Sequence, residues 1–136
     1  MTEAAEIPDN APPQAPYALM GGEAAVRRVV ERFYDIMHSD PGAADIRAMH
    51  AADLAPMREA LFAFMSGWLG GPALYAGRPD AKCLRSAHLP YAIGAAERDQ
   101  WLMCMRRALE DAGIDPAVRA MIDRPLFAAA NFVRTR

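Results

Sequence analysis

The segment Glu23-Ala-Ala-Val-Arg-Arg-Val-Val-Glu-Arg-Phe-Tyr-Asp-Ile-Met-His38 decides the fold class. Its apolar residues Val26, Val29, Val30, Phe33 and Met37 recur at i, i+3, i+4, i+7 and i+11. That is the period of a helix burying one stripe. Gly21-Gly22 stands before it and Ser39-Asp40-Pro41-Gly42 after it, so the spacing predicts a helix over 23–38. Working outward, a short helix is expected over about 43–49. Asp53 is a candidate N-cap for the next, with Pro56 in its first turn. That helix runs to about 69 and carries Met57, Leu61, Phe64, Met65 and Trp68 on one face before Gly70-Gly71-Pro72 stops it. A helix over about 95–112 presents Trp101, Leu102, Met105, Ala108, Leu109 and Ala112. Asp115-Pro116 opens a last helix over about 116–133, with a kink expected near Pro125.

Composition agrees with an all-α chain. Five Val, six Ile and two Thr make only 13 β-branched residues among 136. Straight-chain residues dominate, and these keep their rotamer freedom in helices. With 53% hydrophobic residues the chain can build a core. Fifteen basic against 17 acidic residues leave a net charge of -2, which does not suit a nucleic-acid binder. No apolar run reaches the ~18 to 20 residues of a membrane span. Residues 1–16 hold four of the eleven prolines and read as a disordered tail, with one domain over 17–136. The first fifteen residues have neither a basic start nor an apolar run, so no secretory signal is expected. Cys83 and Cys104 are the only cysteines. A disulfide framework is therefore not expected, and a reducing, cytoplasmic setting is. Cys104 should be core, whereas Cys83, in a loop, is open to oxidation.

The unusual part is 72–93, about 20 residues with little regular structure inside an otherwise helical chain. A single helical turn fits at 84–88, within Leu84-Arg-Ser-Ala-His88-Leu-Pro-Tyr-Ala-Ile93, and Pro90 limits it. A neutral imidazole on a short, fixed segment facing an apolar space is what a haem iron asks of its proximal ligand. Three further polar groups interrupt apolar faces: Tyr34, His50 and Trp101. Taken singly they read as a boundary residue, a loop residue and a core residue. Taken together they offer an O–H, an imidazole and an indole N–H, and buried Tyr and Trp seek polar partners.

At these residues the chain resembles the truncated haemoglobins, specifically group II, over about 17–133. The glycine pairs at 21–22 and 70–71, Arg32-Phe33-Tyr34, and Arg47-Ala48-Met49-His50 follow the family pattern. So do Phe64 through Trp68-Leu69-Gly70-Gly71-Pro72 and His88-Leu89-Pro90-Tyr91. The stretch Glu97-Arg98-Asp99-Gln100-Trp101-Leu102-Met103-Cys104-Met105 is the most specific, because its Trp marks group II.

The resemblance implies a two-over-two helical sandwich holding one haem b per chain. His88 would ligate the iron, and Tyr34, His50 and Trp101 would form a distal cage for O2, CO or NO. Met57 and Leu61 would lie above the haem without donating hydrogen bonds, while Phe33, Phe64 and Tyr91 would pack around it. The family often has an Arg directly before the proximal His and a Gly-His-Pro segment in the preceding loop. Here Ala87 and Asp80-Ala81-Lys82 stand instead, which leaves Arg85, Lys82 or Arg78 to meet a propionate.

The implied function is high-affinity ligand binding, scavenging or redox chemistry. The alternative is a peroxidase-like or nitric-oxide-detoxifying enzyme, with Tyr34 or His50 as proton donor and an external reductase as electron source. A haem-free helical interaction module is the remote alternative. The sequence leaves the oligomeric state open, a homodimer included.

Overall fold

The computed structural model of the chain describes residues 12–136. Its elements are α1 (Pro16–Met20), α2 (Glu23–Ser39), a 3-10 turn (Pro41–Ala43) and α3 (Ala44–Ala48). They continue with α4 (Ala55–Trp68), α5 (Leu84–His88), α6 (Ala95–Asp111) and α7 (Pro116–Phe132). No strand occurs among the described residues. The expected tail lies outside them through residue 11. From Pro16 the chain is already helical.

The stripe on α2 does what its period demands. Val26, Val29, Val30, Phe33 and Met37 are each no more than 2% exposed. They meet Leu102, Met105, Ala108 and Leu109 of α6 in one core. α2 pairs with α4, α6 pairs with α7, and α2 lying on α6 joins the pairs into a two-over-two sandwich. Cys104 sits fully inside that core. Gly22 precedes α2 at φ +75° and ψ -151°, a backbone that favours glycine, and Asp40, accepting a hydrogen bond from the Gly42 N–H at 2.7 Å, turns the chain after it. Arg107 of α6 pairs with the same Asp40 carboxylate. Among the described residues no helix is long and apolar enough to cross a membrane.

Three local expectations are corrected. α1 was not anticipated. It exists because Tyr17, 2% exposed, buries its ring on the second glycine pair. A Cβ on Gly71 would run into that ring. One on Gly70, at φ +98°, would come within 2.8 Å of the Ala15 Cβ. Asp53 is not the N-cap of α4; that position falls to Leu54, although Asp53 still accepts the Ala55 N–H at 3.0 Å. The apolar face of α4 also divides. Phe62, Ala63, Met65 and Ser66 enter the core, while Met57 stays 38% exposed and Leu61, Phe64 and Trp68 are only partly buried. α7 continues as helix through Pro125.

The stretch 72–83 carries turns rather than helix. It is fastened at both ends. Ser66 donates to the Pro72 carbonyl at 2.7 Å. The Tyr75 hydroxyl brackets Lys82, accepting from its N–H at 3.1 Å and donating to its carbonyl at 3.0 Å.

Candidate functional site

The unburied side of the α4 stripe opens on a cavity of about 490 Å3. That volume lies within the ~300–1,000 Å3 typical of small-molecule and cofactor sites. α2 contributes Tyr34, the end of α3 contributes Met49 and His50, and α4 contributes Met57, Leu61 and Phe64. α5 contributes Ala87 and His88, and α6 contributes Trp101. The walls are chiefly hydrocarbon, so each polar tip facing inward carries weight.

His88 and His50 are held alike. Each Nδ1 lies 2.7 Å from the carbonyl four residues earlier, Leu84 for His88 and Ile46 for His50. A carbonyl can only accept, so the Nδ1 proton sits in that bond and the neutral ring keeps its lone pair on Nε2. This orients His88 as a metal ligand is oriented, with its second nitrogen anchored to the backbone. Burial pushes the His50 pKa down, with smaller contributions from the Arg47 and His88 charges in the same direction. His50 is therefore a neutral acceptor near pH 7. The loop that bears it is latched from outside: Arg47 donates to the Ala51 and Ala52 carbonyls at 3.0 Å each and to His38 Nδ1 at 3.1 Å.

Tyr34 is 3% exposed, and burial drives its pKa far above the usual value despite the opposing Arg58 charge. It therefore remains an O–H donor across physiological pH. Arg58 stands 5.8 Å from the ring centroid and ties α4 to α2 through Glu31 at 2.6 Å and Asp35 at 2.9 Å. The Tyr34 and His50 rings meet edge to face at 6.0 Å.

Phe33, fully buried, stands behind both donors. Its centroid is 4.9 Å from Tyr34 and 5.3 Å from Trp101. Phe33 thus lies off the cavity wall and forms the wedge that sets the two donor rings. Arg85 is likewise off the wall and exposed, whereas Arg78 and Lys82 border the cavity. Tyr91 lines it and is 44% exposed. Phe64 lines it too, edge to face with Tyr75 at 5.8 Å.

Sequence reasoning did not single out Tyr75, Glu97 or Arg98 as wall residues. Glu97 is 7% exposed and accepts the Gly94 N–H at 2.7 Å. A Gly followed three residues later by a Glu before an apolar run is the signal that was available. Arg98 stacks on Phe127 at 4.9 Å and donates to Asn131 at 2.9 Å.

The bacterial-like globin family profile matches residues 15–132. Among curated proteins, the group 2 truncated haemoglobin YjbI of Bacillus subtilis is 31% identical over 108 residues, which is 79% of each chain. A cold-adapted truncated haemoglobin from the Antarctic marine bacterium Pseudoalteromonas haloplanktis superposes with a TM-score of 0.85 at 35% identity, covering 90% of this chain and 99% of that one. A truncated oxygen-avid haemoglobin from Bacillus subtilis superposes with a TM-score of 0.81 at 29% identity, covering 90% of this chain and all of that one. Sequence match and helical architecture agree, and the chain belongs to the bacterial-like globin family, in its group II of truncated haemoglobins.

Proposed function

We propose that the chain binds one haem b in this cavity through His88 Nε2 and holds O2 or another diatomic ligand, CO or NO, beside Tyr34 and Trp101. The observation that carries the reading is a pairing within one apolar cavity. An imidazole anchored at Nδ1 leaves Nε2 free, and two hydrogen-bond donors face in with no partner of their own among the described residues. The donor set fits a haem. Met57, Leu61 and Phe64 offer an apolar surface to a porphyrin, and Arg78, Lys82 and Arg98, which border the cavity, would be the cations available to its carboxylates. Among these, Lys82 makes no ion pair with any described residue.

When bound, the haem supplies the iron that takes the diatomic ligand. The chain supplies the rest. Tyr34 and Trp101 donate to a partially negative ligand, and the hydrocarbon walls strengthen those bonds by excluding water. Oxygen avidity, stated of the Bacillus subtilis relative, is what two such donors would produce here.

His50 favours a second reading, peroxidase-like turnover. As a neutral acceptor it is placed to take a proton from a peroxide in the cavity. An external reductant would be required.

The test is the absorption spectrum of the haem-supplied protein in oxidised, dithionite-reduced and carbon-monoxide-bound forms, beside His88→Ala. A sharp Soret band that moves with carbon monoxide and is lost or altered in the variant is expected. No Soret band after reconstitution would overturn the reading and leave a haem-free helical module, whose melting temperature haem would not change.

A further inference from the structure

α5 carries His88, yet none of its five residues is buried, and it packs extensively on no other helix. Its place must come from what holds the chain on either side of it. Upstream, Tyr75 brackets Lys82. Downstream, the holding residue comes from the far end of the sequence. The Thr135 hydroxyl donates to the Tyr91 carbonyl at 2.6 Å and accepts from the Ile93 N–H at 2.8 Å. The Thr135 and Arg136 N–H groups both donate to the Ile93 carbonyl, at 2.8 and 3.2 Å. Arg136 then reaches the buried Glu97 carboxylate at 3.3 Å. Tyr91 in turn donates its N–H to the His88 carbonyl at 3.1 Å. A continuous path of hydrogen bonds therefore runs from Thr135 through Tyr91 to the backbone of His88.

We propose that Thr135 is a positioning residue for His88, clasping the segment 91–93 so that α5 presents its imidazole to the cavity at a fixed depth. The consequence for haem rests on the function proposed above; the clasp itself does not. A single hydroxyl that serves as both donor and acceptor explains why a Thr is useful here. Valine has nearly the same shape and can do neither.

The experiment uses full-length wild type, Thr135→Val and Thr135→Ser. Amide hydrogen exchange on the protein as isolated is the first readout. Exchange at Ala87, Leu89, Tyr91 and Ile93 should rise about tenfold or more in Thr135→Val, with α2 and α6 unchanged, and return in Thr135→Ser, as expected for losing one or two net hydrogen bonds. Haem release to a scavenging apoglobin is the second readout, and should quicken by about the same factor. The ferrous iron–histidine stretching band should shift or broaden with it. Unchanged exchange would overturn the proposal. So would exchange raised evenly over the whole chain, because that marks a structural role alone. Faster exchange at 91–93 with haem release and the stretching band unaltered would also overturn it, since the clasp would then not reach His88. If no variant takes up haem, the proposed function fails, and exchange at Ala87 and Leu89 alone decides the clasp.

Discussion

Replacing Trp101 with Phe isolates one hydrogen bond. The indole packs on Phe33 with centroids 5.3 Å apart, and a phenyl ring keeps most of that contact. The Trp101 N–H has no protein partner among the described residues, so its removal orphans nothing inside the protein. Under the proposed function, what is lost is a donor to the ligand. A hydrogen bond to a charged partner contributes about 1.5 to 3 kcal/mol. At 1.4 kcal/mol per decade, O2 should leave about 10- to 100-fold faster from the haem-loaded ferrous protein. Stopped-flow replacement of O2 by carbon monoxide reads this rate directly. Tyr34→Phe is the companion, since its O–H faces the same space. His50→Leu should accelerate release far less than either, because the His50 Nδ1 proton is committed to the Ile46 carbonyl. An off-rate for Trp101→Phe within twofold of wild type would refute the assignment of Trp101 as ligand donor. An equally large effect of His50→Leu would refute the tautomer argument.

Two further outcomes follow from burial. Phe33→Ala removes a fully buried ring from between Tyr34 and Trp101 and should cost about 3 to 5 kcal/mol in urea unfolding; a loss under 1 kcal/mol would mean that the wedge is not seated as described. The lowered His50 pKa makes folding pH-dependent in a known direction. The unfolded chain takes up a proton near the ordinary value of 6.5, which the folded chain resists. This contribution to stability is therefore complete above that pH and is lost as pH falls through the depressed folded value. Urea midpoints measured downward from pH 7.5 should fall less steeply in His50→Leu, and parallel curves would contradict the burial of His50.

The parts of the fold that were legible are those set by local period. α2 and α6 bury stripes that any helical wheel displays, and Gly, Pro and Asp mark their ends. α1 was invisible because five residues beside a proline-rich stretch are too few to show a helical period or to hold a helix by themselves, although Ala18, Leu19 and Met20 are good helix formers. Its stability comes from Tyr17 resting on Gly71, more than fifty residues away. α4 teaches a different lesson. Met57, Leu61 and Phe64 form an apolar stripe, and a stripe that lines a cavity has the same period as one that enters the core. Phe33 and Tyr34 show the converse. Adjacent residues on one helix divide between core and cavity, and nothing in the local sequence says that Phe33 stands behind the wall that Tyr34 lines. The Thr135 clasp had no signal at all, because all three hydrogen bonds of Thr135 end on backbone atoms more than forty residues distant.

The seating of Phe33 constrains how this cavity can change over evolution. The residue that anchors the core is also the spacer between the Tyr34 and Trp101 rings, so a substitution there alters folding and, under the proposed function, ligand retention together. Variation reaching the cavity from α2 or α6 is therefore coupled to survival of the whole domain. Variation at Met57 of α4 and at Arg78 and Lys82 of the 72–83 stretch is not, because these residues line the cavity outside the buried core. Lineages that diverge in ligand preference while keeping this scaffold are expected to carry their differences there, leaving the Phe33 wedge in place.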